Sequence, residues 1–159
     1  TGIILTGGVD DIWQDTITRQ LIIVDYKSQA KNGRVDKKDY LEDPFHAAYK
    51  IQMDFYAYLL SGMGFSVHPI SYFLVCNAKR DEDEFNKTMR FDEYLVPYKW
   101  SNDWIESRLD EMVTLMNQSE IPESNPSCKN CAYADQYSKI LFSGNSSKKE
   151  ITQGTLPLF

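Results

Sequence analysis

No stretch of this 159-residue chain approaches the ~20 apolar residues of a membrane span. Nothing in it resembles a signal peptide, so the reading is of a cytoplasmic protein with no membrane partner. It has three cysteines, Cys76, Cys128 and Cys131, too few for a disulfide framework. It has no internal repeat and only two histidines, His46 and His68. It lacks an excess of positive charge. A net charge of −6 counts against broad electrostatic binding of a polyanion, which relies on Lys and Arg displacing counterions. It lacks an initiating Met and starts at Thr1, and so reads as an excised piece of a longer chain.

What is present is a globular composition, 42% apolar and 13% aromatic, in a length that suits one domain with a real core. The charge is uneven. Acid concentrates in 81–84 and 103–123, whereas Lys27, Lys31, Arg34, Lys37 and Lys38 face Asp36 alone within 27–38. That basic stretch is either a solvated loop or a loop that contacts phosphates.

The patterning predicts an α/β fold, a small mixed sheet flanked by helices. Strands are expected near 3–14, 19–27, 67–76 and 87–96. The run Leu21-Ile22-Ile23-Val24 suits a central strand covered on both faces. Residues 28–43 read as loop and 77–86 as a charged turn. A helix is expected over 45–62, with Pro44 near its start, Ala48, Ile51, Phe55 and Leu59 on one face, and Gly62 and Gly64 at its end. A second helix is expected over 101–118, with Ser101 as cap and Ile105, Leu109, Met112 and Met116 as its buried stripe. A short helix near 132–142 precedes a loose tail, 143–159, whose Leu156-Pro157-Leu158-Phe159 is apolar enough to dock.

The chemistry concentrates at the end of the apolar run, in Asp25-Tyr26-Lys27. Residues two apart on a strand share a face, so Asp25 and Lys27 point together. Fifteen residues upstream stands Asp10, in Gly7-Gly8-Val9-Asp10-Asp11-Ile12. Downstream, Gln52 and Tyr56 lie four apart, one helical turn, and share a side. A lone acid-x-Lys match is common and Asp10-Asp11 alone reads equally as a turn; the strand context raises the odds. Two carboxylates and a lysine at one strand end suit metal-assisted phosphodiester cleavage. A hard Mg2+ ion takes oxygen ligands, one or two of them carboxylates. Asp10 and Asp25 offer those, with the Tyr26 carbonyl as a third oxygen and Lys27 to orient water or stabilise the transition state.

The order of Gly-x-x-Asp, an apolar strand ending in Asp-x-Lys, and Gln-x-x-x-Tyr resembles the PD-(D/E)xK nucleases with their restriction-endonuclease-like core. Within that superfamily it resembles the RecB-like exonuclease branch, which includes Cas4-like nucleases. The three motifs cover roughly residues 5 to 60. The resemblance implies a Mg2+- or Mn2+-dependent deoxyribonuclease, with a domain over 1–142, acting on DNA ends or single strands. It makes Asp10, Asp25, Lys27, Gln52 and Tyr56 the catalytic set and Asp10, Asp25 and Tyr26 the metal set. Lys31, Arg34, Lys37 and Lys38 become the nucleic-acid contacts. It also implies further domains or subunits of a DNA repair or processing complex. The alternative is a catalytically idle module of the same fold, serving as a binding or scaffolding part.

The chain departs from that pattern twice. The family's leading helix, often with a metal-supporting histidine or glutamate, is missing, and His46 is not in its position. Iron–sulfur members carry a C-x2-C-x5-C set; Cys128 and Cys131 match its first pair, but Tyr137 stands at the third position. Two thiolates cannot hold a four-iron cluster. The expectation is no iron–sulfur cluster, and the pair is either vestigial or part of a zinc site completed elsewhere.

Overall fold

The computed structural model describes residues 3–80, 87–120, 122–125 and 127–143. The charged turn at 81–86 and the tail from 144, with Leu156 to Phe159, lie outside the described residues. The chain divides into two compact units, Thr1–Met112 and Val113–Phe159. Among the described residues no helix is long and apolar enough to cross a membrane.

The first unit is built on one four-stranded mixed sheet: β1 (Asp11–Gln14), β2 (Leu21–Gln29), β3 (Ile70–Ala78) and β4 (Phe91–Lys99), side by side in that order. The β1–β2 and β3–β4 pairs are antiparallel and the central β2–β3 pair is parallel. A parallel pair needs a crossover. Here the crossover carries α1 (Lys37–Glu42), a 3-10 turn (Pro44–His46) and α2 (Ala47–Gly62). Helix α3 (Ile105–Met116) follows the sheet, and α4 (Lys129–Ser143) belongs to the second unit. This is the predicted α/β, restriction-endonuclease-like arrangement.

Several elements differ from the sequence reading, each for a physical reason. Only Asp11–Gln14 of the expected 3–14 strand pairs with a neighbour. The expected loop 28–43 contains α1, started by Asp36, whose carboxylate accepts the backbone N–H of Lys38 and Asp39 at 2.8 and 3.1 Å. That helix is six residues long and buries only Tyr40, too short for a periodic stripe. Strand β4 runs to Lys99 rather than 96 and includes Pro97 opposite Tyr72, tolerated because β4 is an edge strand. Helix α4 starts earlier than 132 and takes in Cys131.

Helix α2 shows the largest difference. The stripe Ala48, Ile51, Phe55, Leu59 does not face the core; Ile51 is 53% exposed. The buried side is Met53, Asp54, Tyr56, Ala57 and Leu60. Asp54 and Tyr56 are polar by type, so a hydrophobic count places them in solvent. In the structure hydrogen bonds satisfy Asp54, and the ring of Tyr56 joins the core. Gly64, at φ +89°, ends the helix in the left-handed conformation glycine favours. In α3 the expected stripe is buried only at its start, at Ile105.

The core lies between the sheet and α1–α2: Ile23, Tyr40, Met53, Tyr56, Ala57, Leu60, Phe73, Val75 and Val96. Ile23 and Val24 point to opposite faces of β2 and both are fully buried, so both faces are covered at that level. Two residues on, the cover ends and Tyr26 is 48% exposed. The site sits where the covered strand emerges.

Candidate active site

The pleat of β2 places Ile23, Asp25 and Lys27 on the face that packs under α2. The parallel register sets Phe73 beside Asp25 and Val75 beside Lys27, both fully buried, so the two charged residues are flanked by apolar side chains on that face. Asp25 is 0% exposed. Lys27 Nζ lies 2.5 Å from Asp25 Oδ2, yet neither Asp25 oxygen has an aligned hydrogen-bond donor. Burial raises the Asp25 carboxyl above the usual carboxylate range. The Lys27 charge opposes that shift, and the nearby Asp10 carboxylate adds to it.

Asp10 reaches the same place from the other strand. Asp11 pairs with Val24, so Asp10 stands level with Asp25 at the mouth of the β1–β2 ladder. Its Oδ2 accepts the Tyr26 N–H at 2.8 Å. The neighbouring Asp11 is occupied elsewhere: its carboxylate accepts from the Tyr26 hydroxyl at 2.6 Å and from Trp13 Nε1 at 2.9 Å. Those two bonds, the Tyr26 bond first, hold the Asp11 carboxyl below its ordinary value. Of the adjacent acids, Asp10 therefore faces Asp25 and Asp11 braces Tyr26.

Helix α2 supplies the third side. Lys27 Nζ donates to Gln52 Oε1 at 3.1 Å, and Gln52 Nε2 donates to the Tyr56 hydroxyl at 2.7 Å. The i, i+4 spacing of Gln52 and Tyr56 thus forms a relay that ends on the lysine. Gly7 explains the start of the first motif. A Cβ there would meet the Tyr56 ring at 2.9 and 3.1 Å and Leu59 Cδ1 at 3.2 Å, so only glycine lets this segment cross the ring. Gly8 has open space.

Sequence reasoning missed Tyr49. Its ring centroid lies 4.4 Å from Lys27 Nζ. The spacing Tyr49, Gln52, Tyr56 is i, i+3, i+7, one helical face, and that spacing was a signal available in the sequence.

The remaining expected residues lie apart from this cluster. Lys31 pairs with Asp43 at 3.1 Å and Lys38 with Glu42 at 3.8 Å. Among the described residues Arg34 and Lys37 form no ion pair. Asn77, 2% exposed, accepts the Lys31 N–H and donates to the carbonyls of Lys31 and Gly33, which ties the loop to the end of β3. Beside it runs a cleft of about 550 Å3 in which Lys31, Arg34 and Lys79 are mixed with Asp92 and Glu93. Cys128 is a free thiol just before α4, Cys131 a free thiol in its first turn, and Cys76 a half-buried free thiol on β3. Backbone N–H groups, that of Cys131 first, lower the Cys128 thiol. Tyr137 stacks on Tyr133 at 6.1 Å.

The profile of the PD-(D/E)XK nuclease superfamily matches residues 1–136. The chain belongs to that superfamily. No curated protein and no solved structure matches it. Membership gives the nuclease a phosphodiester to hydrolyse and, as in the superfamily generally, a divalent metal to hold. The residues present fit such an ion. A buried carboxylate that has Lys27 as its one ion-pair partner among the described residues, no aligned hydrogen bond on either oxygen and a second carboxylate nearby is under-compensated, and a divalent cation would relieve it. Among the described residues no group of three or more His, Cys, Asp or Glu gathers anywhere, so an ion held by Asp10 and Asp25 would need carbonyl and water oxygens for its other positions.

Proposed function

We propose that this nuclease is a Mg2+- or Mn2+-dependent deoxyribonuclease of the RecB-like, Cas4-like branch, acting as an exonuclease on DNA ends or single strands. The observation that carries the reading is the fully buried, hydrogen-bond-free Asp25 carboxylate, ion-paired to Lys27 and level with Asp10. Asp10 and Asp25 hold the metal, with the Tyr26 carbonyl as a further oxygen. When bound, the ion polarises the phosphoryl oxygen and acidifies the attacking water. Lys27 brings positive charge to the reacting phosphate and stabilises the negative charge that develops there. Gln52 and Tyr56 fix the lysine and line the DNA side of the site. Arg34 and Lys37, which pair with no acid among the described residues, contact the DNA backbone; Lys31 and Lys38 join by exchanging Asp43 and Glu42 for phosphate. Other domains or subunits of a DNA-processing complex supply the basic surface that this acidic chain lacks.

A second reading, the idle module, is favoured by the net charge of −6 and by the neutralisation of Lys31 and Lys38. One experiment separates the two. End-labelled single- and double-stranded DNA is incubated with Mg2+ or Mn2+ and either the wild type or Asp25→Ala. Metal-dependent shortening that the variant loses supports the nuclease, and the order of product lengths gives its polarity. Calorimetric titration with Mn2+ completes the test: a wild type that neither cleaves DNA nor binds Mn2+ leaves the module or a site that the family's leading helix must complete, and adding back an upstream segment separates those two.

A further inference from the structure

Lysine is a poor residue to place accurately, because its four-carbon stem has about 2 kcal/mol of rotamer entropy to lose. Two polar partners hold Lys27 here, Asp25 Oδ2 at 2.5 Å and Gln52 Oε1 at 3.1 Å. Both are groups that a bound metal or substrate would re-engage. The third wall is the face of Tyr49, 4.4 Å from Nζ and inside the roughly 6 Å reach of a cation–π contact. The lysine side chain is only 17% exposed, the desolvated setting in which such contacts are strongest.

The Tyr49 ring is itself held. It stacks on the His46 ring at 5.2 Å and 20°, and His46 packs on Tyr40 at 4.1 Å. His46 Nδ1–H donates to the Tyr40 carbonyl at 2.8 Å. Tyr40 is buried in the core against Phe73. Among the described residues the Tyr49 hydroxyl has no hydrogen-bond partner, so the ring and not the phenol touches the site.

We propose that Tyr49 is the positioning residue for Lys27, an aromatic wall carried by the Tyr40–His46–Tyr49 pillar that keeps the ammonium in place when Asp25 turns to a metal. The inference rests on the reading of Lys27 as the working lysine, and its test includes a measurement that needs no activity. In protein labelled with 13C-lysine, the Lys27 ε-methylene protons, assigned by their loss in Lys27→Met, are expected to be ring-shifted upfield in the wild type and in Tyr49→Phe. The shift is expected to vanish in Tyr49→Leu and Tyr49→Met, two unbranched or γ-branched helix formers that cover a folding failure in either one. In the cleavage assay Tyr49→Phe is expected to keep most of kcat, and Tyr49→Leu to lose about tenfold in kcat with KM little changed. An unshifted Lys27 signal in the wild type overturns the proposal. So does a Tyr49→Leu enzyme of full kcat, or a Tyr49→Phe variant as impaired as Tyr49→Leu. A ring-shifted Lys27 in a protein that cleaves nothing leaves the aromatic wall standing and removes the nuclease reading instead.

Discussion

Two buried carboxylates, Asp25 on β2 and Asp54 on α2, show how one residue type is used in opposite ways. Asp54 is 6% exposed, and its oxygens accept from the Tyr98 hydroxyl at 2.9 Å, the Ser101 N–H at 3.0 Å and Trp104 Nε1 at 2.9 Å. It ties α2 to the end of β4 and the entry to α3. Asp25 is more deeply buried and takes no aligned hydrogen bond at all. A saturated buried acid holds a fold together; an unsaturated one stores affinity for a cation. The difference lies in what the surrounding elements offer. The end of β4 and the start of α3 present three donors, whereas Asp25 has Phe73 beside it in the sheet, the Asp10 carboxylate nearby and Lys27 as its one ion-pair partner among the described residues.

Exchanging the two acids for neutral residues separates the roles most sharply. Asp25→Ala is expected to cut metal-dependent cleavage by about a thousandfold or more, on the scale of losing a principal transition-state contact, with the fold retained. Asp54→Ala is expected to do the reverse. It leaves three donors unpaired and should cost about 3 kcal/mol of stability, read as a large drop in Tm, while Mn2+ affinity below that Tm is unchanged. If Asp54→Ala loses Mn2+ binding with its Tm intact, the contrast between the two carboxylates is wrong.

The glycines of the first motif give a smaller, local version of the comparison. Gly7→Ala drives a Cβ into the Tyr56 ring and is expected to cost about 1–3 kcal/mol and to weaken cleavage by displacing Tyr56. Gly8→Ala meets nothing and should be close to neutral. Equal Tm values for the two variants would sink the account of why this motif begins with glycine.

The smallest expected effect is on pH dependence. Because burial raises the folded-state Asp25 carboxyl, the native state holds its proton more tightly than the unfolded chain does. Its contribution to stability is thus present in acid and lost as pH rises through the carboxylate range, from about pH 4 upward. In chelator, Tm of Asp25→Asn minus that of wild type should grow over that window. Adding Mn2+ at neutral pH should close the gap by stabilising only the wild type. A Tm difference that is flat in pH removes desolvation as the cause.

The strands were legible because β-branched runs such as Leu21 to Val24 and 70–76 leave little choice of conformation. The strand end with Asp25 and Lys27 followed from the pleat alone. Helix α1 was not legible, because six residues with one buried side chain carry no period. The orientation of α2 was misread because the residues that face inward include an aspartate and a tyrosine. The basic stretch was legible as charge but not as pairing: Asp43 and Glu42, which occupy Lys31 and Lys38, lie where local sequence shows only proximity.

By itself the sequence determined which residues are available, their alternation on β2, and the one-turn spacing of Gln52 and Tyr56, since these depend only on backbone geometry of neighbouring residues. The tertiary structure decided which of Asp10 and Asp11 faces Asp25, that Gly7 crosses the Tyr56 ring, that Lys27 is walled by Tyr49, and that Asp54 is satisfied while Asp25 is not. Each of these depends on the register between strands and the rotation of a helix over a sheet, set by packing and hydrogen bonding between residues far apart in the chain.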